Sequence, residues 1–504
     1  MNTAHNQHPQ AGRRYAVCLL ALLLIPLLIG AMEPMLERGD HALTFTSTYD
    51  GTEQPYRLFL PGAGAAQPAE NPRPLVVVLH GHGVDQNAWF DYTPVKEYAE
   101  KFGFIAAAPY GRGNYWYRGP GEQDVLDIIE EVCRLENVDR NRIALIGHSM
   151  GGWGTAWIGL RHSDLFCTIA PMSGWAPADL LPNALHLDPF LIHDGTDPIV
   201  PVLNTRTTAQ HLAGLGVSHR YREEHGYGHA SSMIGDNLEN VFRWIELHPR
   251  AEHPRRLTLA ARTPRAGSAW WLRLHETEVF PATALIEAAI NDAGTITITT
   301  SNVARFLVHL DALPPIESDG RSFIVDGNAL ATDRVEGWVL FTKSETWSLD
   351  HVGGTPPAYE SPAIELPWAL PEASDIQAWG TAWVRVLMDE CGGEVGFFGY
   401  SPFRDPGTPW TLDRLIDAYV YPEEQLARAR VSGARLTEVI TSNTVYFLVG
   451  AQVDTLDETR IYDVLAPHNL ALRLTDDVEQ LIPGRVDEIL VKAAKKRAEQ
   501  KSDE

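Results

Sequence analysis

At 504 residues the chain is long enough for two or three domains, each with a core of its own. With 44% apolar and 21% charged residues, its composition is that of a folded protein. The formal net charge of −24 argues against nucleic-acid binding, because contacts to phosphates need a basic surface. We therefore predict no nucleic-acid partner.

The N-terminus carries a positive flank, Arg13 and Arg14, before an apolar run over residues 15–32. Such a pattern is typical of a secretory signal or a signal-anchor. A run of about 18 residues is at the lower limit for spanning a bilayer, so its length does not decide between cleavage and anchoring. We predict that residues 1–38 direct export to the periplasm or the cell exterior, or anchor the chain in a membrane through residues 15–32. A buried core helix is the alternative.

Strand and helix patterns alternate from residue 40 to residue 250. The strands are continuous apolar runs, as expected for strands buried on both faces, and residues 122–134 between them have helical apolar spacing. This order predicts an α/β fold with a mostly parallel sheet covered by helices on both sides. The apolar runs are residues 75–79, 104–109, 143–146, 167–171 and 189–193.

The pattern of apolar and turn residues changes after a linker at residues 249–254. From 255 to 350, short alternating runs are separated by turn residues, with Asp326-Gly327 as a hairpin signal, which predicts a small β-sandwich-like domain. After a Pro-rich stretch, residues 372–484 mix helix and strand patterns and predict an α+β domain. For residues 485–504 the sequence predicts a charged helical tail with a weak apolar face and a frayed end.

Cysteine usage sets a limit on cross-links. Once Cys18 is assigned to the N-terminal segment, Cys133, Cys167 and Cys391 remain, without the spacing of a metal site. We predict at most one disulfide and no disulfide framework.

The segment Gly147-His148-Ser149-Met150-Gly151 lies between a predicted strand and a predicted helix. Glycines on both sides of a serine leave room for a strained turn that exposes its hydroxyl above the sheet. A serine hydroxyl is a weak nucleophile that needs a base and donors for the oxyanion. We predict Ser149 as the nucleophile.

The oxyanion donors are predicted from the loop after an earlier strand. His80-Gly81-His82-Gly83 follows residues 75–79, so the backbone N–H groups of His82 and Met150 are expected to hold the oxyanion. His80 and His82 also suggest a metal site, but no carboxylate or third histidine has matching spacing. We predict no metal and no cofactor.

The acid and the base are predicted from the two last strand ends, in the order Ser, Asp, His. Asp197 lies in the turn beyond the strand, whereas Asp194 lies nearly within it, so Asp197 is favoured. His229 precedes the final helix of this region and is favoured over His225 in the same glycine-rich loop. We expect His229 to take the proton of Ser149, and Asp197 to hold the imidazole in the right tautomer.

These motifs, in this order over residues 49–244, resemble the secreted α/β-hydrolases grouped with feruloyl esterases, polyhydroxyalkanoate depolymerases and the catalytic domain of prolyl oligopeptidases. The resemblance implies an α/β-hydrolase fold and the Ser-Asp-His triad, and esterases and peptidases share it. Prolyl oligopeptidases also carry a propeller before the hydrolase, and none precedes residue 40, which favours an ester hydrolase. The matching residues are His80 to Gly83, Pro109 to Gly113, Asp124-Val125, Gly147 to Gly152, Asp197 and Gly228-His229.

The third region resembles the C-terminal domain of 5′-nucleotidases. That family's Pro-Phe-x-Asn motif would fall at residues 421–424, which are Tyr-Pro-Glu-Glu, so it is absent. The resemblance therefore implies a fold for this region and no nucleotide hydrolysis. The similar segments are residues 407–408, 411–412, 429–436 and 461–466.

Together these patterns predict an exported serine hydrolase that cleaves small-molecule or polymer-linked carboxylic esters. A serine peptidase with the same triad is one alternative, and a binding or adhesion protein with an incidental hydrolase domain is another. A complete triad with its oxyanion loop argues against the latter. Tyr115, Tyr117 and Trp153 are candidate aromatic walls of a substrate site, with a core position as the alternative.

Overall fold

The computed structural model describes residues 36–62, 71–315, 321–359, 376–399, 426–442, 446–449, 456–467, 470–471, 474–475, 478–482 and 485–502. The predicted export segment over residues 15–32 and the 5′-nucleotidase-like residues 407–412 lie outside the described residues. Within them, no helix is long and apolar enough to cross a membrane. The described cysteines Cys133, Cys167 and Cys391 are free thiols.

The first region, residues 39–247, is built on a mixed sheet in the order β1-β2-β4-β3-β5-β6-β7-β8. Its strands are β1 Gly39–Thr46, β2 Glu53–Leu60, β3 Arg73–Leu79, β4 Ile105–Pro109, β5 Val138–His148, β6 Thr168–Met172, β7 Phe190–Asp194 and β8 Arg220–Glu224. From β4 to β8 along this order, all neighbours are parallel, and β2 joins β4 antiparallel. The prediction of a mostly parallel sheet is confirmed.

Helices cover this sheet on both sides, as predicted. They are α1 Ala88–Tyr92, α2 Val95–Phe102, α3 Pro120–Leu135, α4 Met150–Arg161, α5 Val202–Gly214 and α6 Ser232–Leu247, with a 3₁₀ helix at Ala178–His186. Helix α3 buries Val125, Ile128, Ile129 and Val132, the face that the periodicity predicts. Every residue of β3 is buried, which explains its continuous apolar sequence.

The strands differ from the predicted ones mainly where they are exposed. Strand β5 begins at Val138, five residues before the predicted apolar run. These five residues are polar or half-exposed and pair only loosely with β3, so no apolar pattern marks them in the sequence. Strand β1 was not predicted at all, since its burial alternates along an exposed sheet edge.

The second region is a β-sandwich, as predicted. One sheet has the order β10-β11-β14-β17-β18 and the other β16-β15-β13-β12-β9, and both contribute side chains to one apolar core. Asp326 and Gly327 have φ values of 48° and 83° and link paired residues Val325 and Asn328, which is the predicted hairpin. The strands are β9 Arg256–Ala261, β10 Ser268–Ala269, β11 Leu272–Thr277, β12 Ala284–Ile290, β13 Thr295–Ser301, β14 Val303–His309, β15 Arg321–Val325, β16 Asn328–Thr332, β17 Trp338–Lys343 and β18 Trp347–Gly353.

The sandwich is fixed to the hydrolase region by buried polar contacts. Asn183 in the 3₁₀ helix accepts a hydrogen bond from the Ala260 N–H (2.6 Å) and donates one to the Ala260 carbonyl (2.8 Å). Nearby, Asp179 accepts hydrogen bonds from Arg262 (2.7 and 2.8 Å) and from Thr283 (2.5 Å). The two regions therefore meet through a specific interface.

The third region is α+β, with a sheet in the order β21-β19-β22-β20-β23. The predicted tail helix is α9, but it is not frayed at its start, because it buries Val486, Leu490 and Ala493 in a cluster that includes Trp383 of α7. The elements are α7 Ile376–Cys391, β19 Val395–Gly399, β20 Leu426–Ser432, α8 Gly433–Ser442, β21 Tyr446–Val449, β22 Ile461–Pro467, β23 Val478–Leu481 and α9 Val486–Ser502.

Candidate active site

Ser149 lies on a sharp turn between β5 and α4. Its φ is +60°, a conformation that is strained for any residue with a side chain and that persists only where the surroundings enforce it. A methyl group at Gly151 would overlap the carbonyl oxygen of Leu79, and one at Gly152 would overlap that of Met172. Close backbone packing by β3 and β6 thus explains the glycines and holds the turn.

The structure brings Ser149, Asp197 and His229 together. His229 Nε2 lies 2.9 Å from Ser149 Oγ, and His229 Nδ1 lies 2.6 Å from Asp197 Oδ2. Because a carboxylate only accepts, Nδ1–H donates to Asp197, which leaves Nε2 free to accept from the serine hydroxyl. The arrangement fits a nucleophile, a base and an orienting acid.

The two alternative residues lie elsewhere. Asp194 accepts hydrogen bonds from the Thr196 N–H (2.8 Å) and from the Tyr227 N–H (2.8 Å). It therefore stabilises the loop that leads to His229. The ring of His225 lies beside Gly195, where a methyl group would be 3.0 Å from it. Among the described residues, neither the Asp194 carboxylate nor the His225 imidazole takes part in the hydrogen bonds that join Asp197, His229 and Ser149.

Asp197 is surrounded by donors. Its Oδ1 accepts hydrogen bonds from the N–H groups of Ile199 (2.8 Å) and Val200 (2.9 Å). Burial opposes ionisation of this carboxyl, but the hydrogen bonds from His229 and the two backbone groups outweigh it and lower the pKa below the usual value. Asp197 is therefore negatively charged at neutral pH and stabilises a protonated His229.

A second histidine, which no sequence motif indicated, contacts the acid. His193 is fully buried, and its Nε2 lies 3.0 Å from the Val200 carbonyl and 3.4 Å from Asp197 Oδ2. Its Nδ1 lies 2.6 Å from Thr205 Oγ1. A histidine at the end of an otherwise apolar strand was the only signal for it in the sequence.

His148 is a further histidine in the site. Its ring centroid lies 4.8 Å from that of His229. Burial, and then repulsion from a charged His229, lowers the pKa of His148 to about 3. The ring is therefore neutral across the physiological range and does not compete with His229 for the serine proton.

The loop predicted to hold the oxyanion passes over the nucleophile. A methyl group at Gly81 would lie 3.6 Å from the β-carbon of Ser149, which places the following residue, His82, beside the serine. Met150 is the first residue of α4, so its N–H has no carbonyl partner within the helix. The role of the two N–H groups in holding the oxyanion stays a prediction.

Residues 110–117 clamp this loop on both sides. His80 Nε2 lies 2.8 Å from the Tyr110 carbonyl, and the Tyr117 hydroxyl donates to the His80 carbonyl (3.2 Å). On the other side, Asn114 Oδ1 accepts a hydrogen bond from the Gly83 N–H (2.8 Å). The amide predicted to hold the oxyanion lies between these two anchors.

We expect Asn114→Ala to lower kcat about 10-fold with little change in KM. The exposed side chain holds the Gly83 amide, and its loss lets the neighbouring His82 N–H turn away from the oxyanion, a smaller defect than the ~100-fold loss on deleting a donor. Steady-state kinetics and the melting temperature measure the effect. Asn114→Asp keeps an acceptor oxygen and should retain most of kcat, and equal activity in Asn114→Ala would show that the anchor is dispensable.

The three predicted aromatic walls do not line the cleft. Trp153 and Tyr117 are fully buried, because Trp153 stacks on Trp157 (5.3 Å) and the Tyr117 ring lies against Gly154, where a methyl group would be 2.5 Å away. Trp153 and Tyr117 support the site from the core, and the prediction that these two form its wall is wrong. Tyr115 is half-buried and is not among the residues that line the cleft.

The cleft itself has a volume of about 290 Å³ and opens beside Ser149. Both ring nitrogens of His80 face backbone carbonyls at 2.8 Å, and no group of three or more potential metal ligands occurs among the described residues. The lining residues are His80, Gly81, His82, Val84, Ala88, Trp89, Tyr92, Thr93, His148, Ser149, His229, Ser231 and Ile234.

The sheet, the strained serine turn and the order of the strand ends define residues 39–247 as an α/β-hydrolase region. Residues 41–244 match the family model described as "Putative esterase". This confirms the α/β-hydrolase resemblance. The comparison does not test the 5′-nucleotidase resemblance of the third region, which stays a prediction.

Individual relatives are distant. A protein described as "Putative esterase NocK", from Nocardia uniformis subsp. tsuyamanensis, is 25% identical over 181 residues, which are 33% of this chain and 52% of the relative. The chain thus spans about half the length of that relative. Among solved structures, a thermostable esterase is 26% identical (42% of this chain, 63% of that chain, TM-score 0.36). An S-formylglutathione hydrolase from Staphylococcus aureus is 19% identical (42% and 98%, TM-score 0.36).

Proposed function

We propose that the chain is a serine hydrolase that cleaves carboxylic esters through an acyl-enzyme on Ser149. The observation that carries the proposal is the relay from Asp197 through His229 to Ser149, with distances of 2.6 and 2.9 Å. The match of residues 41–244 to an esterase family model supports an ester rather than a peptide substrate.

In the proposed mechanism, His229 Nε2 takes the Ser149 proton while Oγ attacks the ester carbonyl carbon. The carbonyl oxygen becomes an oxyanion, for which the N–H groups of His82 and Met150 are the donors. Asp197 stabilises the imidazolium, which then protonates the departing alcohol. A water molecule, deprotonated by His229, attacks the acyl-enzyme, and the carboxylic acid leaves as Ser149 recovers its proton.

A fluorophosphonate probe and 4-nitrophenyl acetate test this proposal. We expect the probe to label the parent chain and not Ser149→Ala, and ester hydrolysis to fall to background in that variant. Ser231→Ala, which changes an exposed serine in the same cleft, should still be labelled. An unlabelled parent chain would falsify the proposal, and labelling of Ser149→Ala would move the nucleophile elsewhere.

The peptidase alternative is tested with the same protein. Aryl esters and aminoacyl-nitroanilides of matched side chains are compared by kcat/KM. We expect turnover of the esters only, because amide cleavage needs protonation of a far poorer leaving group and positioning of the peptide backbone. Comparable turnover of the anilides would favour the peptidase.

We also propose that the protein is exported. The positive flank and apolar run of residues 13–32 support this. Fractionation of cells expressing the full chain, with mass spectrometry of the mature N-terminus, distinguishes a cleaved signal from an anchor. Full-length protein in the soluble cytoplasmic fraction would contradict export.

A further inference from the structure

Resting on this proposed function, we infer that the cleft beside Ser149 selects esters whose bound group is uncharged and apolar. One wall of the cleft is apolar from rim to floor. Tyr92 and Val84 stand at the rim with 75% and 45% of their surface exposed, and Trp89 and Ile234 form the buried floor. A hydrocarbon or aryl group placed there removes apolar surface from water along its whole length.

Two of the polar groups in this wall, those of Trp89 and Thr93, are already satisfied by the protein. Trp89 Nε1 donates to the Leu79 carbonyl (2.8 Å), and the Thr93 hydroxyl donates to the Trp89 carbonyl (2.6 Å). Both side chains therefore turn their polar atoms toward the backbone and their carbon surface toward the cleft. Polar contacts for a substrate are concentrated at the reacting end, around Ser149 and His229.

The cleft also offers no permanently charged partner among the residues that the structure describes. Among the described residues that line it, none is Asp, Glu, Lys or Arg. A carboxylate or ammonium on the bound group would lose its hydration there without gaining an ionic partner. A carboxylate would in addition meet the field of a chain with a net charge of −24. Charge on the bound group is thus selected against, with either sign.

Matched 4-nitrophenyl esters test the inference. The hexanoate is compared with the adipate half-ester and the 5-aminopentanoate, which replace the terminal methyl group by a carboxylate or an ammonium. A second comparison, phenyl hexanoate with 4-carboxyphenyl hexanoate, places the charge on the alcohol side. We expect charge on the side of the ester that occupies the cleft to lower kcat/KM about 100-fold.

A charged variant makes the test specific to this wall. Tyr92→Arg adds a cation at the exposed rim and should reduce the discrimination against the carboxylate about 10-fold. Leu203→Arg adds the same charge at another exposed apolar position, outside the cleft, and should leave the discrimination unchanged.

The possible failures are distinguishable. If the neutral hexanoate is not hydrolysed and Ser149 is not labelled by fluorophosphonate, the proposed function itself is wrong. If Ser149 is labelled and charged and neutral esters react equally on both sides, only the present inference is overturned. The same holds if Leu203→Arg changes the discrimination as much as Tyr92→Arg.

Discussion

His229→Ala is expected to lower kcat for ester hydrolysis by about 10⁴- to 10⁶-fold while the chain stays folded. Without the imidazole, the Ser149 proton has no acceptor, while Asp197 keeps its hydrogen bonds from the Ile199 and Val200 N–H groups. His229 lies on a loop and is 19% exposed, so its loss should cost little stability. Steady-state kinetics with 4-nitrophenyl acetate, together with the melting temperature, separate the two effects.

His225→Ala is the matched control for this prediction. It removes an imidazole from the same glycine-rich loop, four residues away, but one that lies beside Gly195 rather than Ser149. We expect kcat within a few-fold of the parent value. Full activity in His229→Ala with loss in His225→Ala would assign the base to His225.

Gly151→Ala is expected to prevent stable folding of the hydrolase region. The added methyl group would overlap the carbonyl oxygen of Leu79 and lie 2.8 Å from that of His80. Leu79 ends a strand that pairs along its length with β5, so its backbone cannot retreat without breaking the sheet. The cost is on the order of 4–5 kcal/mol, a large part of the stability of a typical domain. Soluble yield and thermal unfolding measure it.

Gly214→Ala provides the comparison. This glycine is the last residue of α5, and no atom lies within 4 Å of the position of its added methyl group. We expect an unchanged or slightly higher melting temperature, because alanine is the better helix former and restricts the unfolded chain. A well-folded Gly151→Ala protein would show that β3 and α4 are not as tightly packed as the structure has them.

The convergence of the site was predictable because parallel strands place their carboxyl ends at one edge of the sheet. The oxyanion loop, Ser149, Asp197 and His229 follow β3, β5, β7 and β8 in that order. The first three strands have apolar sequences that make them visible, whereas β8 is polar and half-exposed. The sequence favoured Asp197 over Asp194 only by its position in the turn. The hydrogen bond between His229 and Asp197 is the direct evidence for that choice.

The side-chain environment of the site was less predictable. The sequence makes Tyr117 a candidate wall of the substrate site, with a core position as the alternative, and its burial depends on Gly154 in a helix distant in sequence. His148 likewise gives no signal in the sequence, since its proximity to His229 arises only when the strands assemble. Such contacts between distant segments leave no periodic signal.

The tail helix is a second case in which the sequence did not show which residues a side chain packs against. Its charged sequence suggested a frayed end, whereas α9 buries its narrow apolar face against α7. A weak periodicity predicts the helix but not the partner that covers it.

The contacts at Asn183 and Asp179 affect which fragment of this protein can be expected to fold stably on its own. A fragment ending near residue 250 would contain the whole relay, yet it would lose the backbone partner of a buried Asn183 amide and two of the donors to Asp179. Because water would replace the missing partners, each lost hydrogen bond lowers the stability by about 0.5–1.5 kcal/mol. We therefore expect a fragment without the sandwich to be less stable than the whole chain.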